Sequence, residues 1–83
     1  PGDMKAQALA CFRHVKAQVE AGGGTIADIA RLNVYVTDMS KVADYRAARL
    51  EVFGDIKLAS TLVGVTALAQ PDFVIEVEAI AIL

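Results

Sequence analysis

The chain closes on FVIEVEAIAIL, Phe73 to Leu83, an apolar run that carries two carboxylates, Glu76 and Glu78, two residues apart. Side chains two apart in an extended chain share a face. Val74, Glu76, Glu78, Ile80 and Ile82 therefore line one side of a strand, and Phe73, Ile75, Val77, Ala79 and Ala81 line the other. The second set reads as core. The first mixes hydrocarbon with like charge, a surface on which a carboxylate serves general acid–base chemistry or is tied to backbone or a basic partner as a structural group.

Other groups with chemical potential are sparse. Ser60 and Thr61 offer neighbouring hydroxyls, a neutral cradle for a polar or anionic ligand or simply two β-formers opening a strand. No Gly-x-Ser-x-Gly elbow accompanies them. Arg46 and Arg49 offer cations. Either could reach over an interface to a ligand carboxylate, or lay its stem on apolar surface with its head in water or beside Asp44 or Glu51. His14 is the sole histidine and falls on the flank of a helical pattern, and a lone His with scattered carboxylates makes no metal site. Cys11 falls within the apolar stripe of that pattern and reads as a small buried hydrophobe.

The elements that must position these groups follow from periodicity. Asp3 is a suitable N-cap, and Met4, Ala8, Cys11, Phe12, Val15 and Val19 recur at helical spacing until Gly22-Gly23-Gly24 stops the helix. Leu32, Val34 and Val36 alternate with Arg31, Asn33, Tyr35 and Thr37, a half-buried strand. Ser40 caps a second helix running to about Phe53, with Asp44 in its first turn, an apolar stripe of Val42, Tyr45, Val52 and Phe53, Arg49 in the same sector and Gly54 as the stop. Ser60 to Ala67 gives a further strand, Pro71 a turn, and the closing segment the last strand. The order is α-β-α-β-β. Nothing ahead of the first helix completes the sheet, which leaves an edge open beside that helix.

Totals bound the rest. Residues 1–83 amount to one domain, N-terminally incomplete, and 55% of them are hydrophobic. A domain this small hides only about 60–65% of its surface, so an apolar face should be covered by other copies of the chain. The net charge of −2, with eight scattered Lys and Arg, gives no basic stripe for nucleic acid. No run of about 18 apolar residues suggests a membrane span. The single cysteine fits a reducing compartment, and the expected location is cytoplasmic.

The segments GDMKAQALACFRHVKAQVEAGGG, DIARLNVYVTDM and LASTLVGVTALAQPDFVIEVEAIA together resemble the RidA/YjgF family, also labelled endoribonuclease L-PSP. The resemblance spans essentially the whole chain and is most specific in ALAQP and IEVEAIA. It implies an α+β, chorismate-mutase-like fold, with two helices on one face of a mixed sheet and N-terminal strands that this chain lacks. It also implies a homotrimer with clefts between subunits. The implied activity is hydrolysis of enamines and imines to 2-keto acids and ammonia, on a small, carboxylate-bearing metabolite and without metal or organic cofactor. The family's water-positioning glutamate falls on Glu76, its carboxylate-clamping arginine on Ser60, and a nearby cysteine on Leu62. Substrate contacts are accordingly expected at Ser60, Thr61, Leu62 and Arg46, with Glu76 as the catalytic group. A serine offers one neutral hydrogen bond where a guanidinium offers a charged fork. The alternative reading is therefore a non-catalytic ligand-binding or regulatory module on the same scaffold.

Overall fold

A computed structural model of the chain describes residues 3–56, 59–70 and 72–82. Pro71, expected to turn the chain between the last two strands, and Leu83 at the end of the apolar run lie outside the described residues. The elements are α1 (Met4–Ala21), β1 (Ile29–Val36), α2 (Val42–Phe53), β2 (Ala59–Gly64) and β3 (Ile75–Ala81), with 3₁₀ turns at Ile26–Asp28 and Met39–Lys41. β1 is central, parallel to β2 and antiparallel to β3, so the sheet order is β2-β1-β3. The α-β-α-β-β order holds, and β3 presents an open edge beside α1.

Helix α1 forms as its periodicity predicts. The Asp3 carboxylate accepts from the Ala6 amide at the N-terminus, satisfying a donor that the helix leaves orphaned. At the other end the amides of Gly22, Gly23 and Gly24 bond back to the last carbonyls, with Gly23 at φ 94°, a conformation that favours glycine. Met4, Ala8, Phe12, Val15 and Val19 are buried, whereas Cys11 is only half-buried and not the enclosed hydrophobe expected. The reason is that Cys11 faces the open edge of β3, where no further element among the described residues closes over it.

Helix α2 begins differently from the sequence reading. Asp38, not Ser40, accepts at the entry: the Ser40 amide and hydroxyl both donate to its carboxylate, at 2.9 and 2.6 Å. The hydroxyl bond first, then the amide bond, holds the Asp38 carboxyl below the usual carboxylate range. A 3₁₀ turn then leads into α2, whose Tyr45, Ala48 and Phe53 are buried. Phe12 meets Tyr45 and Phe53 with ring centroids 5.8 and 5.2 Å away, tilted and edge-on arrangements that aromatic quadrupoles favour. These rings, with Leu32, Val34, Val36 and Ile75, form one core between the helices and one face of the sheet.

The alternation in β1 puts Leu32, Val34 and Val36 toward the helices as expected, but Ile29 is buried as well. A register irregularity between Ile29 and Arg31 inserts Ala30 and returns Ile29 to the core face. β2 ends at Gly64, three residues short of the predicted Ala67. β3 starts only at Ile75, so Phe73 is not a core member and remains 48% exposed. Val74, read as part of the charged face, packs partly buried against the core. The cause lies in α1: the Gln7 amide group donates to the Asp72 carbonyl at 2.7 Å and accepts from the Val74 amide at 2.8 Å. This two-pronged clamp engages residues 72–74 ahead of β3, and Val74 keeps one backbone bond across to the end of β1, its carbonyl accepting from the Thr37 amide at 3.1 Å.

Candidate functional site

Pairing fixes which residues share the sheet face turned away from the helices. Arg31 lies between Ala59 and Ile80, Asn33 between Thr61 and Glu78, and Tyr35 between Val63 and Glu76. Glu76 and Glu78 thus occupy this open face together, as their spacing predicted, and both are exposed. The polar groups there are tied to one another. Arg31 Nε donates to Asn33 at 3.0 Å, its guanidinium also donates to the Thr61 hydroxyl, and the Tyr35 hydroxyl donates to Glu78 at 2.7 Å.

The two carboxylates are therefore not equivalent. Glu78 is engaged by Tyr35, while Glu76 makes no side-chain hydrogen bond or ion pair among the described residues. Both carboxylates border a groove of about 640 Å³ along the open edge of β3, together with Cys11, His14 and Gln18 of α1. Burial, then the Glu76 charge, pushes the Cys11 thiol above its usual range, so Cys11 is held as the unreactive thiol. His14 was expected to stand apart. The readable signal was the spacing of Gln7, Cys11, His14 and Gln18, a second helical stripe that turns toward β3.

The bond from Tyr35 to Glu78, then desolvation and then the two glutamate charges, raises the Tyr35 phenol above its usual value of about 10. A raised pKa in the folded state means the contact contributes below the unfolded value and is lost as pH rises through the folded one. Glu78→Ala should bring the Tyr35 titration back down toward about 10, followed through its ring carbon resonances in NMR. An unchanged titration would mean that the hydroxyl does not rest on Glu78 in solution.

Ser60, Thr61 and Leu62 open β2 but divide between the faces. Thr61 is on the open face, whereas Ser60 and Leu62 pair with Leu32 and Val34 on the helix side. Leu62 packs partly buried against the core, and Ser60 is exposed. Arg49 of α2 reaches Ser60, donating to its hydroxyl at 3.0 Å, while Arg46 is exposed three residues earlier on the same helix. Ser60 and Glu76 are not brought together. They pair with Leu32 and Tyr35 across the intervening β1, which sets them on opposite faces and about 14 Å apart by strand geometry. Among the described residues, no cluster of three or more His, Cys, Asp or Glu has the geometry to hold a metal ion, and no helix is long and apolar enough to cross a membrane.

Comparison with known proteins matches this arrangement. The sequence fits the Endoribonuclease L-PSP family over residues 1–83. A RutC family protein of Pyrococcus horikoshii is 38% identical over 80 residues, 96% of this chain and 63% of that protein. A second, from Pyrococcus abyssi, is 35% identical over 80 residues, 96% of this chain and 62% of its own length, so the chain spans less than two thirds of these relatives. Among solved structures, the YjgF gene product of E. coli is 36% identical with a TM-score of 0.90, covering 99% of this chain and 66% of that one. A YjgF/YER057c/UK114 family member from Mycobacterium tuberculosis is 32% identical with a TM-score of 0.92, covering 100% and 70%. RidA from an Antarctic Psychrobacter is 34% identical with a TM-score of 0.88, covering 95% and 63%. Two helices on one face of a mixed sheet, in this strand order, are the chorismate-mutase-like fold of these neighbours, and the chain belongs to the RidA/YjgF family.

Proposed function

We propose that this chain binds a small, carboxylate-bearing metabolite at clefts formed between copies of itself in a homotrimer, in the cytoplasm, with Glu76 as the group that activates water. The observation that carries the reading is the placement of Ser60 and Glu76 on opposite faces, about 14 Å apart. A site that uses both must draw them from two chains. Of the two strand carboxylates, Glu76 is the one without a hydrogen-bonding partner among the described residues, and a general base needs a free oxygen to accept a proton.

The chemistry that fits is hydrolysis of an imine, the tautomer of an enamine, to a 2-keto acid and ammonia. Glu76 takes a proton from water as the water oxygen adds to the imine carbon. Glu76 returns that proton to the nitrogen, giving a neutral carbinolamine. The carbinol O–H proton then passes through Glu76 to the nitrogen as the C–N bond breaks, the C=O bond forms and ammonia leaves. Thr61, Ser60 and Arg46 border the ligand in this reading, and Leu62 contributes apolar backing from behind β2. No cofactor enters the scheme. The nuclease chemistry in the family's label is not part of the proposal, since a net charge of −2 without a basic stripe opposes a phosphate backbone.

Ammonia release from 2-aminoacrylate generated in situ tests the reading. The unaltered protein should release ammonia, and Glu76→Gln should lower the rate by about 10²- to 10⁴-fold, the usual contribution of a positioned acid–base group. One observation favours a second reading: the neutral Ser60 hydroxyl stands where the family resemblance places an arginine. Silence in the unaltered protein with activity in Ser60→Arg would mean an intact scaffold that binds a ligand without turning it over.

A further inference from the structure

Arg49 is the one arginine that α2 delivers to β2. Its Nη1 donates to Ser60 Oγ at 3.0 Å, which uses one of the five N–H groups of a guanidinium. No side-chain or backbone acceptor among the described residues takes the others. Every Asp and Glu of the chain lies within the described residues, and the one ion pair among them joins Arg13 to Glu51 at 2.9 Å. Among the described residues the Arg49 charge is thus held by a neutral hydroxyl and left without a carboxylate. Arg46, exposed one turn earlier, shares its flank of α2 and adds a second positive charge. Ser60 completes the arrangement: its oxygen accepts from Arg49, which leaves its own O–H to donate outward.

We infer that Arg49, oriented by Ser60, is the residue that binds the ligand's carboxylate. The inference rests on the small-ligand reading above and names the group that gives that site its charge preference. A strand-borne arginine at position 60 and a helix-borne arginine resting on Ser60 deliver the same chemistry, a planar fork of N–H donors matched to two carboxylate oxygens. The cation arrives here from α2 of the same chain, without crossing an interface. The free donors, the guanidinium fork and one hydroxyl, suit a small planar monocarboxylate.

Titration of the protein with pyruvate, its neutral analogue pyruvamide and inorganic phosphate, followed by amide NMR shifts at residues 59–62, tests this. Pyruvate should bind, and Arg49→Ala should weaken it about tenfold or more while pyruvamide changes less than about twofold, since a charged hydrogen bond is lost only for the anion. Arg49→Lys should recover part of the affinity, keeping charge without the fork. Lys41→Ala, which removes an exposed charge ahead of α2 and outside the site, should change it by less than about threefold, as a screened distant charge does. Thermal unfolding of each variant separates lost binding from lost folding. Pyruvate affinity that survives Arg49→Ala overturns the inference, as does phosphate binding with no pyruvate binding. Pyruvamide binding without pyruvate preference sinks the inference but leaves the small-ligand reading standing. Failure of all three to bind removes both.

Discussion

Phe12→Ala is expected to leave much of the chain unfolded at room temperature. Phe12 is fully enclosed and is the residue on which the two helices meet, with Tyr45 tilted and Phe53 edge-on against its ring. Truncating a buried phenylalanine costs about 3–5 kcal/mol, because transfer energy and a residual cavity add. A domain of this length has only about 4–12 kcal/mol of stability to lose. The cavity would open beside two rigid aromatic rings anchored on α2, Tyr45 and Phe53, which limits collapse around it. Urea unfolding followed by far-ultraviolet circular dichroism measures the effect, with Phe12→Leu as a milder control costing about 1–1.5 kcal/mol. A loss below about 1 kcal/mol for Phe12→Ala would mean that the helices are held to the sheet by something other than this ring cluster.

The helices and the central strand were legible in the sequence because each depends on periodicity within a dozen or so residues. Met4, Ala8, Phe12, Val15 and Val19 keep helical spacing, and the three glycines end it. What escaped notice depends on contacts distant in sequence. Phe73 has strand character and sits in an apolar run, yet Gln7, 65 residues from Asp72, captures the backbone there and delays β3 to Ile75. The extra Ala30 in β1 carries no mark of its own, so alternation alone does not place Ile29 on the core face. Asp38 and Ser40 are both capping types, and only the intervening 3₁₀ turn decides between them.

The candidate site divides along the same line. That Glu76 and Glu78 share a face followed from their spacing. That they differ did not, because Tyr35 lies directly opposite Glu76 but reaches diagonally to Glu78, a distance a long aromatic side chain spans. Arg49 was visible in the apolar sector of α2, with Arg46 at its edge. Which of them meets the sheet was fixed only when β2 returned beside α2 and set Ser60 under Arg49.

Ile80→Asp is expected to abolish the self-association proposed for this chain. The open sheet face exposes Ile80 at 54% and Val63 at 40%, and Ile82, next on the same side by alternation, at 73%. Apart from Glu76, its charged and phenolic groups are paired within the chain: Arg31 by Asn33 and Thr61, Tyr35 by Glu78. A face with apolar side chains proud of it and its donors already paired loses little on desolvation, and this suits it to packing against copies of itself. An aspartate at position 80 would put an uncompensated charge into that contact in every copy, each costing about 3–5 kcal/mol. Leu50 provides the control. It is 63% exposed on α2, the helix side of the sheet, so Leu50→Asp should leave assembly intact. Sedimentation at micromolar concentration should give a trimer for the unaltered chain and for Leu50→Asp, and a monomer for Ile80→Asp that keeps its helical circular dichroism. A monomeric unaltered chain would remove the need for the open face to be covered, and with it the cleft that joins Ser60 of one copy to Glu76 of the next. A trimer that survives Ile80→Asp would move the contact to another surface, and Leu50→Asp would then show whether α2 carries it.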